Sequence, residues 1–160
     1  MNYKEQMLGL WDAYADIMGG EALSTMDFAQ WAVRGGQWHP KPQEVVKRCA
    51  ADMADALRDE LRIDEFGIIY RGKICVRTSE SGVQLTLWQD SDLAAPTFVE
   101  KSFHQRRRGV ADVCFQLKSD YDHFNLTRNP EIKLQLSLDF TDDVAEREAL
   151  ERLEAKKNSG

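Results

Sequence analysis

Asp64-Glu65-Phe66-Gly67 is an acidic turn, and the fold of this chain is decided by what stands on either side of it. Before it, Val46, Cys49, Ala50, Met53, Leu57 and Leu61 recur at helical spacing, which predicts a helix from Pro42 to about Arg62. After it, Ile68-Ile69-Tyr70 and then Lys73 to Thr78 are rich in β-branched and aromatic side chains. Val83, Leu85 and Leu87 alternate with Gln84, Thr86 and Trp88, the period of a strand with two different faces. Ser79-Glu80-Ser81-Gly82 is the polar tip between these strands, and Gly72 marks a bulge or a break.

Two helices are expected ahead of this segment. Met7, Leu10, Trp11, Tyr14, Ile17 and Met18 form a helical stripe over 3–18, stopped by Gly19-Gly20. Ser24 or Thr25 caps the next helix, whose apolar positions are Phe28, Trp31 and Ala32 and whose stop is Gly35-Gly36. Trp38-His39-Pro40-Lys41-Pro42 is a stiff connector, because each proline biases the residue before it away from helix.

Beyond Trp88, Asp90-Ser91-Asp92 stops the hairpin and Pro96 opens the longest helix. Its stripe is Val99, Phe103, Val110, Val113, Cys114, Leu117, Tyr121 and Phe124, and Asn125 and Asn129-Pro130 close it. Ile132, Leu134, Leu136 and Leu138 alternate with Lys133, Gln135 and Ser137, which predicts a strand that joins the hairpin sheet or pairs across a dimer. Thr141 is read as the cap of a last, highly charged helix, with Asp142 and Asp143 set against its dipole. The whole is an α+β chain: three helices, a hairpin, a long helix, a strand and a C-terminal helix. It is read as a single domain over 1–160, with halves 3–90 and 96–155 and the boundary near Asp90–Pro96.

The 160 residues carry a net charge of −6, which argues against indiscriminate coating of nucleic acid. The charge is uneven, at −5 over 1–66, +2 over 67–130 and −3 over 131–160. No apolar run reaches the length of a membrane span, and the opening residues read as a helix and not a signal peptide, so a cytoplasmic protein with no membrane partner is expected. Cys49, Cys75 and Cys114 are far apart and odd in number, the pattern of free thiols.

Three helices followed by a two-stranded hairpin, over roughly 3–90, resemble the winged helix-turn-helix family. In that family the third helix docks in the major groove and the hairpin tip touches the backbone. The resemblance implies a small non-enzymatic DNA-binding or regulatory protein, with double-stranded DNA as partner. It places Gln43, Lys47 and Arg48 at the start of the third helix and Arg71, Lys73 and Arg77 on the hairpin against the nucleic acid. Asp52, Asp55, Asp59 and Glu60 follow on that helix and repel phosphate. The alternative is therefore an adaptor or inhibitor that meets a protein partner, or a second copy, through the acidic helix.

Gln105-Arg106-Arg107-Arg108, flanked by Lys101 and His104, is the densest positive charge. Arg106 and Arg107 fall on or beside the apolar stripe, and the cluster reads either as a phosphate or acidic-partner site or, the reading favoured for Arg106 or Arg107, as ion pairs with carboxylates of the third or last helix. Lys101 and Arg108 are the better surface cations. Asp120, Asp122 and His123 do not converge on one face and are read as solvated, and His39 as a loop histidine on an aromatic. Trp11 and Trp31 are expected in a core. With no nucleophile elbow, P-loop, dinucleotide fingerprint or HExxH, no enzyme activity, metal or cofactor is expected.

Overall fold

The fold is taken from a computed structural model that describes residues 2–19 and 22–159. Gly20, half of the first expected helix stop, lies outside the described residues. The chain is α+β and divides into two compact units, Met1–Asp59 and Glu60–Gly160.

The first unit is helical. Helix α1 (Tyr3–Met18) opens with a capping box: Asn2 accepts from the Glu5 amide at 2.9 Å while Glu5 accepts from the Asn2 amide at 2.8 Å. Helix α2 (Thr25–Arg34) is capped by Ser24, whose hydroxyl accepts from Met26 and Asp27. Tyr14, Phe28 and Ala32 are buried between these helices, with Trp11, Trp31 and Trp38 packed round them. The aromatic rings meet tilted or edge-on at 5.3–6.2 Å, the arrangement their quadrupoles favour. Trp38 also donates its indole N–H to the Tyr3 hydroxyl at 2.9 Å, so it belongs to this core. Helix α3 (Pro42–Asp59) contains no buried residue, and Val46 and Met53 of its apolar stripe stand exposed.

The second unit holds the β structure. Helix α3 stops at Asp59, three residues short of the sequence reading, and Leu61–Ile63 forms a strand, β1, paired antiparallel with β2 (Ile69–Arg71). The acidic turn thus closes a hairpin of its own. The Asp64 carboxylate accepts from the Phe66 and Ile68 amides at 2.9 and 2.8 Å, and Gly67 takes the left-handed conformation at φ 80°. Gly72 is the break between β2 and β3 (Lys73–Glu80), where a Cβ would meet Arg62 Nε at 2.6 Å and Glu60 Oε1 at 2.7 Å. Strand β3 pairs with β4 (Val83–Asp90) along its whole length, Lys73 opposite Asp90 and Glu80 opposite Val83. The connection is two residues, Ser81 and Gly82, both at positive φ (50° and 77°), the primed turn whose twist matches a hairpin.

Helix α4 (Pro96–Thr127) starts at the proline and runs about 48 Å. Its N-terminal part packs along β3, so the hairpin and the long helix share one unit and the Asp90–Pro96 turn joins packed elements. Ile74 and Val76 of β3 and Ser102 of α4 are the buried side chains here. The expected strand at Ile132–Leu138 pairs with no other strand among the described residues. Its alternation survives as an extended segment held by Asn125, which accepts from the Leu134 amide and donates to the Leu134 carbonyl, both at 2.9 Å. Helix α5 (Thr141–Asn158) begins one residue earlier than the cap reading: Thr141 is already helical, and Asp139 accepts from its amide and hydroxyl. Those bonds hold the Asp139 carboxyl below the usual carboxylate range. No helix among the described residues is long and apolar enough to cross a membrane.

Candidate nucleic-acid interface

The second unit is fixed at its base by an ionic knot. Arg62 donates to Glu60, Asp90 and Asp92 at 2.8, 2.7 and 2.8 Å, and Lys73 lies 3.0 Å from Glu60 and 3.4 Å from Asp90. Tyr70 adds a hydroxyl bond to Asp92 at 2.9 Å. The Arg62 bonds, the Asp92 amide and Lys73 hold the Asp90 carboxyl far below its ordinary value. Lys73, then Arg62, lower Glu60. Asp92 raises the Tyr70 phenol. The three carboxylates come from β1's approach and from the end of β4, so the knot ties β1, β3 and β4 together.

This knot engages one of the residues expected on the hairpin surface. Lys73 is held between two carboxylates of its own chain, so its ammonium is already ion-paired. Arg48, exposed on α3, donates to Asp52 at 2.8 Å one turn later. Gln43 and Lys47 are exposed on the first turns of α3, as expected.

Helix α4 brings two other expected residues together. Gln105 reaches the outer edge of β3, where its amide oxygen accepts from the Arg77 N–H at 2.8 Å and its amide nitrogen donates to the Arg77 carbonyl at 2.9 Å. Ser102, wholly buried one turn earlier, is the small residue in this contact, and its hydroxyl has no hydrogen-bond partner among the described residues. Beside these contacts lies an open groove of about 370 Å³, lined by Arg77, Ser79, Gln84, Gln105, Arg108 and Asp112 among others. Arg77 and Arg108 are exposed, and neither guanidinium pairs with a carboxylate among the described residues. Arg71 and Lys101 are exposed and equally unpaired among the described residues.

Within their own unit Arg106 and Arg107 pair with no carboxylate among the described residues, the acids of α5 included. Arg106 instead lies 6.0 Å over the Phe103 ring. Partial burial, and then the charge of Arg71, lower its pKa. Asp120 and Asp122 bond Gln116 and Lys118 on their own helix, and no set of three ligand-type side chains gathers among the described residues. Arg62 and Gln105 are the site residues that sequence reasoning missed. Gln105 stood in the arginine run, but its partner is a backbone that only the tertiary fold supplies.

Comparison with known proteins returns no match: no family model, no curated protein and no solved structure is similar to the chain.

Proposed function

We propose that this is a small non-enzymatic DNA-binding or regulatory protein that meets phosphate through the β3–α4 groove. The observation that carries the reading is the convergence of Arg77 and Arg108, both exposed and neither ion-paired among the described residues, on one groove. Arginine forks suit phosphate oxygens, and exposed, unpaired guanidinium groups bind them without first breaking an ion pair. Arg71 and Lys101 extend the positive surface of this unit. Gln43 and Lys47, with Arg48 once released from Asp52, form a separate contact on the first unit, Gln43 being the base reader. Asp112 in the groove keeps the affinity modest and salt-sensitive. Cytoplasmic location accords with this reading.

Fluorescence anisotropy on a generic duplex at low salt tests it. The full chain should bind, and Arg77→Glu with Arg108→Glu should lower affinity at least tenfold at unchanged helicity. Binding that ignores that double substitution would refute the groove as the contact.

A second reading has its own support. The Val46 and Met53 face of α3 is exposed, and two of that helix's acids are neutralised by Arg48 and Arg58. An adaptor or inhibitor would use that face for a protein partner, by apolar contact more than by charge. A protein retained from nuclease-treated lysate, and lost with Met53→Glu, would favour it.

A further inference from the structure

We propose that α4 pairs antiparallel with α4 of a second copy of this chain. The side of α4 that carries Ser102 and Gln105 is occupied by β3. The adjoining side carries Phe103, Val110, Leu117 and Phe124, spaced by seven, and Val99, Arg106, Val113 and Asp120, also spaced by seven, with Arg106 one turn from Ser102 at the margin of the β3 contact. That is the two-position spacing of a coiled-coil seam over 99–124, with six of its eight positions apolar and Arg106 and Asp120 the charged two. Its middle is bare: Phe103, Val110 and Val113 are 52%, 60% and 69% exposed, and Leu117 is 39%.

The seam's two charged members choose the partner and its direction. Arg106 stands on it with no carboxylate partner among the described residues, its guanidinium partly buried and under the repulsion of Arg71. Asp120 stands on it fourteen residues later, and among the described residues its one hydrogen-bond partner is the neutral Gln116 amide, at 3.1 Å. A parallel pair would set Arg106 against Arg106 and Asp120 against Asp120, two like-charge contacts at a desolvated seam. An antiparallel pair centred between Val110 and Val113 sets each copy's Val110 on the other's Val113. Leu117 then faces the other copy's Arg106, and Phe103 faces its Asp120. Arg106 and the other copy's Asp120 lie one layer apart, about 5 Å along the axis, within reach of a guanidinium. The twofold axis makes this ion pair twice, and a second copy of the chain supplies both complements by symmetry. The pairing leaves Arg77 and Arg108 on another side of α4, and it does not rest on the DNA-binding reading.

Sedimentation equilibrium of the full chain, from about 1 to 100 μM, tests this. A dimer is expected. Arg106→Glu and Asp120→Arg should each weaken it about tenfold or more, and the double swap should restore it to within about threefold, an exchange worth roughly 1.4 kcal/mol per decade. Val113→Glu should give a monomer with unchanged helicity, since that side chain is not part of the chain's own core. A wild-type monomer at 100 μM, a double swap no better than the single ones, or a dimeric Val113→Glu variant would each overturn the proposal.

Discussion

Gln105 of α4 holds both backbone groups of Arg77 in β3, accepting from its N–H at 2.8 Å and donating to its carbonyl at 2.9 Å. Arg77 pairs opposite Thr86, so these two groups point away from β4 and would otherwise sit on an open strand edge. One carboxamide thus docks the helix on the sheet and closes part of that edge. Gln105→Ala should destabilise the protein by about 1–2 kcal/mol, the cost of two hydrogen bonds to partly exposed groups, as read by urea unfolding. An unchanged midpoint would show that the helix docks without it.

Ser102 gives a prediction of opposite sign. Its hydroxyl is buried without a hydrogen-bond partner among the described residues, a desolvation cost with no return. Ser102→Ala should raise stability by about 1 kcal/mol, while Ser102→Leu should lower it by more, because a larger side chain cannot fit a fully buried position beside β3. Thermal unfolding that ranks leucine above serine would contradict the packing described.

The Arg62 knot predicts an acid-sensitive second unit. Glu60 and Asp90 have folded pKa values below their unfolded ones. Their stabilisation is therefore complete above the ordinary carboxylate value of about 4 and is lost as pH falls through the folded values. Unfolding curves should show stability falling from about pH 5 downward, and Arg62→Ala should flatten that slope as well as lower the midpoint. Gly72→Ala should act in the same direction, by pushing Arg62 and Glu60 apart. A pH slope untouched by Arg62→Ala would remove the knot from the account.

The hairpin tip offers a gain. Ser81 is held at φ 50°, a conformation that asparagine tolerates better. Ser81→Asn should stabilise the chain by a few tenths of a kcal/mol to about 1 kcal/mol. A loss in urea unfolding would mean that the serine side chain does something else there.

Local chemistry made much of this fold legible. The limits of α1, the Ser24 cap, Pro96 and the Ser81-Gly82 tip all depend on side chains next to the backbone they govern. The misreadings are non-local. Leu61 and Arg62 continue the helical period of α3, but Arg62 finds carboxylates about 30 residues away and the chain turns into β1. The alternation of Ile132–Leu138 reports two faces, and a ladder needs a second strand that periodicity cannot reveal. At the candidate site, the positive charge of Arg77 and Arg108 was readable from sequence. Their meeting in one groove was not, because it depends on Gln105 finding the edge of β3. The ion pairing of Lys73 with Glu60 and Asp90 was hidden for the same reason.

The salt dependence of duplex binding tests the central claim most directly. If Arg77 and Arg108 each neutralise a phosphate, log K should fall linearly with log salt, and removing either arginine should reduce the slope by about 1. Lys73→Ala should leave that slope unchanged, since Lys73 is already engaged. A slope that survives loss of both arginines, or an absence of binding at low salt, would contradict a phosphate-reading groove.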